Sequence, residues 1–595
     1  MVALYKVLRA GSGNARISND GPAPRNALRA SCAATALALG WGPVLAQTAS
    51  QITPPTFAPP PARTPAPIVI PESAGAVAPA GSDTLDITLA GVSLDGPADP
   101  VALQDLRTAL VGHTIKVSDI FAAARTLEAR YANAGHVLVR VVVPAQSLTD
   151  GATLHLVLVD GFIERIDVAH VPTRVRAQVA VTLRPLVDLT SVTLSAIERR
   201  LLLAADVPGI ALRSTLVAGS KPGATILVIE ATQQPVTGFA TLDNTLPSSL
   251  GRLTFGVGLN FNSLLGAGET IYLRASGLPD ISTGAGVFDP TPRDRALAGG
   301  VILPLGHNGL AVNIEGTDAR TTPRHDSTLP GFGSVFQRLS GRLSYPLVRS
   351  RALAISAQAV FDAQDEKVEI VTPAVLPLSL DRLRIARLGG GIRLALPGNG
   401  VATMHGQASF GLDALGARNG HDATALLPLS RLAEKTGFHK LDIEATLDQP
   451  LASHLVANLK VRAQTSFGEV MANSEQIGIA TLDGISPFGS GTIEGDAGYV
   501  VRGELRAPFA LQLGTGFGQF APYGFGAYGQ VRFYQPTILE RGTTDVSAYG
   551  AGVRLSAGTR SGIPGVSTSL EYGHAHAQGP LGSAHRVSFT IITQF

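Results

Sequence analysis

The sequence predicts an α+β region of two soluble modules followed by an all-β transmembrane barrel of about sixteen antiparallel strands. Three observations support this fold class. Helical periodicity alternates with short strand-like stretches over residues 83–232, which is typical of a mixed soluble region. From about residue 235 the helical period disappears, and apolar and polar residues alternate with a period of two. The chain also ends inside such an alternation, "RVSFTIITQF", which suits a strand whose apolar face meets lipid.

Composition narrows the class further. Hydrophobic residues make up 45% of the 595 residues and charged residues only 15%, and the mean hydropathy is +0.23. These values are apolar for a soluble protein. No apolar run outside the N-terminus reaches the roughly 18 residues that a transmembrane helix needs, so a helical membrane protein is disfavoured. The net charge of +2 leaves no broad basic surface, so we expect no nucleic-acid partner.

The first 46 residues have the features of an export signal. Arg25 and Arg29 precede the apolar run "ASCAATALALGWGPVLA", which ends at Ala46, so we predict a signal peptide over residues 1–46. Residues 47–82 are rich in proline and alanine and are predicted to be an extended linker without fixed structure. Cys32 is the only cysteine and lies in the apolar run, so we expect no disulfide and no thiol chemistry in the mature chain.

Residues 83–161 and 162–232 are predicted to be two modules with one order of elements: a strand, two helices and two strands. In the first module Pro100 begins a helix that extends to about Val111, and Ser118 caps the next helix. Gly135 follows the end of that helix, where a left-handed conformation is common. The stretches "HVLVRVVVP" and "TLHLVLVDG" are the closing strands. The second module has helices over 172–186 and 190–204, and strands at "FIERIDVAHV", "GIALRSTLVAG" and "ATILVIEAT".

Residues 233–595 are predicted to be the barrel. In "GRLTFGVGLNF", "HKLDIEATL" and "YVVRGELRAPF" one parity is mainly apolar and the other mainly polar. The final strand is expected to pair with the first, because closure removes an open edge that would otherwise aggregate. A soluble β-solenoid is the alternative for this region. The polar parity carries charges that we expect to face a wet lumen: Arg274, Glu315, Arg393, Lys460, Arg462, Arg502 and Arg506.

The end of the first module carries a recognisable motif. The stretch "LEARYANAGHVLVRVVVPAQSLTDGATLHLVLVDGFIERIDV" resembles a polypeptide-transport-associated (POTRA) domain, at the positions Tyr131, Gly135, Pro144, Gln146, Gly151, Gly161, Ile163 and Glu164. Two such modules followed by a barrel resemble the outer-membrane transporters of two-partner secretion, the haemolysin and filamentous-haemagglutinin secretion/activation family. The resemblance implies that the module contacts the partner protein, with Tyr131, Gly135, Pro144, Gln146, Gly161 and Glu164 as candidate partner-binding residues.

The barrel keeps part of a second family motif and lacks another part. The family pattern Gly-Asp-x-Gly with a following Glu-Leu is present at Gly495, Asp496, Gly498, Glu504 and Leu505. Members similar to this chain usually carry an arginine on a loop that folds into the lumen, where it pairs with a wall aspartate in Phe-x-Asp-x-Gly. Here the loop stretch "LDGISPFGSGTIEGD" has no arginine, and the wall stretch reads Phe525, Ala527 and Gly529 at the matching positions.

Both halves of that ion pair are therefore absent together, which avoids an unpaired charge in a confined site. Arg502 lies after the Gly-Asp pair and inside a strand, so the role of the loop arginine is not transferred to it. We expect the loop to be held by packing of Phe488 or by Glu494 meeting a lumen arginine, or else to be mobile.

The resemblance implies an outer-membrane translocator with periplasmic modules, which captures an unfolded secreted partner and exports it through the barrel lumen. Its expected partners are a large exoprotein with an N-terminal secretion domain and outer-membrane lipids, and the barrel is expected to be monomeric. The alternatives are an outer-membrane insertase of the barrel-assembly type and a passive solute porin, although porins lack such modules.

No enzyme, cofactor or metal site is expected. His574 and His576 lie two apart on one strand without further clear ligands. The glycines 389–391 are not placed between a strand and a helix as a phosphate loop would be. The sequence also contains no Gly-x-Ser-x-Gly motif, so hydrolase chemistry has no support.

Overall fold

The computed structural model describes residues 47–54, 77–97, 100–221, 223–279, 286–324, 330–431, 433–513, 516–538, 540–559 and 565–595. The predicted signal peptide and residues 55–76 of the predicted linker lie outside these ranges. Among the residues described, no helix combines the length and the apolar character needed to cross a membrane.

The first described segment is a short helical turn, α1 (Ala49–Ile52). The prediction of a linker without fixed structure from residue 47 is wrong for this stretch. The Thr48 backbone N–H donates to Gln51 Oε1 at 2.9 Å, so the Thr-x-x-Gln spacing forms part of a capping box. The proline-rich composition starts only at Pro54, after the turn has closed.

The first module places two helices on a three-stranded sheet. Its elements are β1 (Asp86–Thr88), β2 (Gly91–Asp95), α2 (Pro100–Leu110), β3 (Thr114–Lys116), α3 (Val117–Asn133), β4 (Arg140–Val142) and β5 (Thr153–Val159). The sheet order is β2-β5-β4, and β1 pairs separately with β3. Helix α3 begins before the predicted Ser118, because the carboxylate of Asp119 accepts the Lys116 N–H at 2.9 Å. The core includes Leu106, Ile120 and Leu154.

The second module repeats the arrangement with longer strands. Its elements are β6 (Phe162–His170), α4 (Thr173–Leu183), α5 (Leu194–Ala205), β7 (Ile210–Ala218) and β8 (Ala224–Gln233), and the sheet order is β6-β8-β7. Val137 and Leu138 were predicted to begin a strand of the first module. They instead pack into the apolar core of the second module, beside Ile163 and Ile197. The two modules therefore share one hydrophobic junction.

The barrel follows directly. Its strands are β9 (Val236–Asp243), β10 (Thr254–Asn262), β11 (Thr270–Gly277), β12 (Asp294–Leu305), β13 (Leu310–Thr321), β14 (Gly331–Arg349), β15 (Leu353–Thr372), β16 (Leu376–Leu396), β17 (Gly400–Gly411), β18 (His439–Ala452), β19 (Leu455–Thr465), β22 (Ala497–Arg506), β23 (Phe509–Leu513), β24 (Gly516–Arg532), β25 (Thr543–Thr559), β26 (Val566–Ala577) and β27 (Ser583–Gln594), with the short β20 (Ile477–Gly478) and β21 (Glu494–Gly495) in a loop. Segments β22 and β23 both pair with β24, so they form one interrupted strand of a closed 16-strand antiparallel barrel. The predicted fold class is confirmed.

The barrel closes through its terminal strand, as expected from the alternation. Strand β27 pairs antiparallel with β9, with Thr590 opposite Asp243. Phe595 and Gly238 exchange two backbone hydrogen bonds of 3.0 and 2.8 Å at the end of this seam. A side chain at Gly238 would collide with the Phe595 ring, so the glycine leaves the space that this ring occupies.

The two faces of the barrel strands differ as the parity predicted. Leu339 and Leu570 are 59% and 53% exposed, whereas their neighbours Ser340 and Glu571 are 1% and 5% exposed. The polar and charged parity therefore faces the lumen and the apolar parity faces outward, as in barrels that sit in lipid.

The second module docks on the strand-joining turns at one end of the barrel, which we call the module end. Asp206 at the end of α5 accepts hydrogen bonds of 3.0 and 2.6 Å from Arg349 at the end of β14. Arg199 of α5 donates to the Pro346 carbonyl at 3.0 Å. Leu203 packs near the turn between β12 and β13. Charge-assisted bonds of this kind fix the angle between the module and the barrel.

Deleting Phe595 should lower the amount of assembled barrel. The deletion removes two backbone hydrogen bonds, each contributing about 1 kcal/mol, from the seam that closes the cylinder. Heat-modifiable migration of the protein from membrane fractions measures assembly. Gln594→Ala is the matched control, because it alters the neighbouring side chain and keeps the backbone. Equal assembly of the deletion and the control would contradict the seam argument.

Candidate functional site

The candidate site is the segment that joins β19 to β22, residues 466–496, which we call the lumen loop. It leaves the barrel wall at the end opposite the modules and folds back inside. Its apolar residues pack on the inner wall of β22, β24, β25 and β26. The cluster contains Ile477, Ile479, Ala480, Ile485 and Ile493 from the loop, and Val500, Tyr523, Phe525, Ala527, Val531, Val546, Ala548, Ala575 and Ala577 from the wall. Phe488 is partly buried against it.

The loop is acidic, and several of its carboxylates contact cations from other segments. Residues 466–496 contain five carboxylates, Glu469, Glu475, Asp483, Glu494 and Asp496, and no lysine, arginine or histidine. Three of these meet a cation from outside the loop: Glu475 meets Arg387 at 2.7 Å, Asp496 meets Arg431 at 3.8 Å, and Asp483 contacts Lys460. The loop is thus held by cations of the wall strands and of the segment between β17 and β18, and not by a cation of its own.

The first anchor lies at the base of the loop. Glu475 is buried, and its carboxylate accepts hydrogen bonds from Arg387 at 2.7 and 3.0 Å and from Gln364 at 3.0 Å. Lys440 Nζ lies 2.8 Å from the same carboxylate. A buried carboxylate is stable only with such complete pairing, so this site fixes the start of the loop.

The Gly-Asp-x-Gly motif forms the second anchor, where the loop returns to the wall. Asp496 is fully buried and accepts the Met471 N–H at 3.0 Å and the Tyr534 N–H at 2.7 Å. A Cβ on Gly498 would lie 2.5 Å from the Gln530 carbonyl, and one on Gly495 would lie 2.9 Å from the backbone of Arg532. The motif therefore lets two backbones approach closely and ties the loop to β24.

The third anchor is at the tip and centres on Arg502 of β22. Its guanidinium donates to Glu571 at 2.5 Å and to Glu504 at 2.9 Å, and it lies over the Phe525 ring with 3.7 Å to the centroid. It also donates to the loop, to Ser486 Oγ at 3.2 Å and to the Gly484 carbonyl at 3.4 Å. The Ser486 hydroxyl in turn donates to Glu571.

The strand register explains where this arginine stands. Arg502 lies directly opposite Ala527, which occupies the position of the family's wall aspartate. Gly529 lies against Ile479 of the loop, since a Cβ there would be 3.0 Å from its Cδ1. Glu504 is paired with Arg554 at 2.8 Å. The wall thus supplies an arginine directly across from the position where the family pattern has an aspartate and this chain has Ala527.

Helix α1 occupies the lumen beside the loop. The Ser50 N–H and hydroxyl donate to the two oxygens of Glu366 at 3.0 and 2.8 Å. Ala49 N–H donates to Ser334 Oγ at 3.0 Å. Gln51 donates to Glu494, so the carboxylate that was expected to meet a lumen arginine contacts this helix. The lumen therefore holds two inserted segments that touch each other.

A polar cavity of about 330 Å³ remains on the module side of the loop tip. Its lining includes Asp448, Lys460, Asp483, Arg554 and Glu571. This lining carries charges of both signs, unlike the mostly apolar lining of a typical small-molecule pocket.

In the modules, the Pro-x-Gln motif completes a sheet. Strand β4 stops pairing with β5 before Pro144, which has no N–H to donate. The Gln146 side chain continues the ladder: its Nε2 donates to the His155 carbonyl at 2.7 Å, and its Oε1 accepts the His155 N–H at 2.9 Å. Gln146 thus occupies the edge of β5 in place of a strand.

The remaining module residues lie at structural joints. Gly135 has φ +96° after α3, and its carbonyl accepts the Leu194 N–H of the second module at 2.8 Å. A Cβ on Gly161 would lie 2.2 Å from the Leu138 carbonyl. Tyr131 packs on the core of the first module. Gly135 and Gly161 therefore lie at the junction of the two modules, whereas Tyr131 supports the first module.

Glu164 closes the turn between β7 and β8. It accepts hydrogen bonds from the Ser220 hydroxyl and, at 2.8 Å, from the Ser220 N–H. These two bonds, the hydroxyl first, hold the pKa of Glu164 below its ordinary value. Its role is therefore local to the second module.

Sequence reasoning missed the wall residues that hold the loop, namely Arg387, Lys440 and Glu571, and the loop residue Ser486. One signal was available for Glu571. It is a single carboxylate on the inward parity of "SLEYGHA", where a lone charge needs a partner across the lumen.

The chain matches two family models. The model described as haemolysin secretion/activation protein ShlB/FhaC/HecB matches residues 223–555, and that of the ShlB-type POTRA domain matches residues 87–161. The structure is similar to CdiB from Escherichia coli, at 19% identity over 88% of this chain and 92% of that one, with a TM-score of 0.65. It is also similar to CdiB from Acinetobacter baumannii, at 15% identity over 86% and 90%, with a TM-score of 0.56. No curated protein matches the sequence.

Replacing Gln146 by alanine should loosen the edge of β5. Both hydrogen bonds to His155 are lost, at a cost of about 1 kcal/mol each at most because the site is exposed to water. Hydrogen exchange of the His155 amide in the full protein should accelerate by about ten-fold. Gln104→Ala, an exposed glutamine on α2, is the control, and equal exchange in both variants would show that the edge does not depend on Gln146.

Proposed function

The chain belongs to the haemolysin secretion/activation family, and on that premise we propose how it takes up and exports its partner. The protein is an outer-membrane translocator of two-partner secretion, with its POTRA modules in the periplasm. The transported molecule is a secreted exoprotein. We propose that this exoprotein is large and carries an N-terminal secretion domain, that the barrel works as a monomer among outer-membrane lipids, and that no step is catalytic.

The observation that carries the proposal is the filling of the barrel. Helix α1 and the lumen loop together occupy the lumen, and each is held there by hydrogen bonds to residues of other segments. A passive pore would need no such removable contents. A translocator needs a lumen that is sealed at rest and cleared when the exoprotein arrives at the modules.

The second module offers the open sheet edge for capture. Strand β4 of the first module has only three residues, and Gln146 fills the edge beyond it. Strand β7 has nine residues, pairs only with β8 among the described strands, and exposes Thr215 and Val217 on its outer face. An extended chain can add to such an edge through backbone hydrogen bonds, which tolerate a varied sequence. We therefore place the first docking of the exoprotein along β7.

The two alternative functions, an outer-membrane insertase and a passive porin, are also carried out by transmembrane barrels. The family match to residues 223–555 favours the translocator over both, and no contact in the described residues favours either alternative.

Secretion itself is the direct test. Cells that lack this chain should retain a co-expressed exoprotein with an N-terminal secretion domain, and supplying the chain should restore the exoprotein to the medium. Immunoblots of cells and medium measure the distribution. Secretion that continues without the chain would refute the proposal.

Docking along β7 can be tested by site-specific photocrosslinking in the full protein. A photoreactive side chain at Thr215 should crosslink to the exoprotein, because the edge strand lies against the captured chain. The same group at Val181, which is exposed on α4 of the same module, should not. Crosslinks at Val181 alone would move the docking site from the sheet edge to the helices.

A further inference from the structure

We propose that Arg502 is the residue that positions the tip of the lumen loop, through a pair with Glu571 that belongs entirely to the barrel wall. The loop contributes only a hydroxyl and a carbonyl to this contact. This arrangement is the reverse of the family pattern, in which the arginine lies on the loop: here the arginine lies on the wall, and the loop is acidic. The inference concerns loop position, so its main test does not require secretion.

The burial of Arg502 shows that it is not an incidental lumen charge. It is 1% exposed and is among the largest fully buried side chains of the described residues. Such a charge persists only when its donors are paired. Two of its partners, Glu504 and Glu571, are wall carboxylates at 2.9 and 2.5 Å.

The wall holds the guanidinium in one orientation. The Phe525 ring lies against its face, at 3.7 Å, and the Tyr523 hydroxyl donates to Glu571 at 2.7 Å. Glu504 is shared with Arg554. These residues belong to four strands, β22, β24, β25 and β26, so the guanidinium is preorganised whether or not the loop is present.

The Nη1 group of Arg502 links the wall to the loop. It donates to Ser486 Oγ and the Gly484 carbonyl of the loop and, at 3.5 Å, to Glu571 of the wall, and the Ser486 hydroxyl also donates to Glu571. Withdrawal of the tip would remove two acceptors from Arg502 and one donor from Glu571 in a confined space. The pair therefore favours the inserted loop without any arginine on the loop itself.

The base of the loop has a separate anchor. Glu475 is held by Arg387 and Lys440, neither of which contacts the tip. Loss of the tip contact should therefore release residues near Ala480 while residues near Ala472 stay protected. This difference separates a positioning role from a general weakening of the barrel.

Cysteine labelling in the full protein tests the inference. Ala480 and Ala472 are 1% and 3% exposed, and each is replaced singly by cysteine in a chain whose one native cysteine, Cys32, is changed to serine. Reaction with a small water-soluble thiol reagent reports how often each site opens. In an Arg502→Gln background the cysteine at 480 should label about ten-fold faster, and the cysteine at 472 should not change.

Arg506→Gln is the matched control, because Arg506 lies on the same strand and face and its ion pair among the described residues is with the wall residue Asp448, at 3.4 Å. It should leave both labelling rates as they are. Arg502→Lys keeps the charge and loses the fork of donors, so its rate should fall between those of the wild type and Arg502→Gln.

Assembly of each variant is checked by heat-modifiable migration. If Arg502→Gln does not assemble, Glu571→Gln and Ser486→Ala take its place, and each should accelerate labelling at position 480. Unchanged labelling at 480 in the assembled variants overturns the inference. Equal acceleration at 480 and 472 also overturns it, because Arg502 would then support the barrel as a whole.

Discussion

The closure of the sheet onto itself is the constraint on which the rest of the structure depends. In hydrocarbon every backbone N–H and C=O needs a partner within the protein, and the seam between β27 and β9 provides the last of them. Closing sixteen strands also encloses a lumen too wide for wall side chains to fill. The protein meets this second demand with segments of its own chain, α1 and the lumen loop, and not with larger side chains.

Many charged and polar side chains are buried in that lumen, so each of them needs a hydrogen-bonding partner. Each of the three anchors of the loop centres on a buried carboxylate that accepts a hydrogen bond from another segment: Glu475 from Arg387, Asp496 from Tyr534 and Glu571 from Ser486. Apolar packing supplies contact area between them, while the charged groups fix the register, since a shifted loop would leave charges unpaired. The inserted state is thus specific as well as stable.

The sequence was informative wherever the determinant is local. Period-two alternation predicted the strands, their inward and outward faces and the closing pair, and the repeated order of elements predicted both modules. Three features escaped because they depend on contacts between distant segments. The insertion of Val137 and Leu138 into the neighbouring core, the substitution of Gln146 for a strand and the position of Arg502 opposite Ala527 follow only from the three-dimensional register. Helix α1, by contrast, could have been predicted, because its Thr-x-x-Gln capping motif is local and directly precedes the proline-rich stretch.

The shared core of the two modules has a mechanical consequence. Because Val137 and Leu138 are buried in the second module, the first module cannot swing on a flexible hinge. The second module is in turn fastened by Arg199 and Asp206 to the end of β14. Strand β14 also bears Ser334, and β15 bears Glu366, and both residues accept hydrogen bonds from α1. A displacement of the modules would therefore act directly on the strands that hold α1 in the lumen.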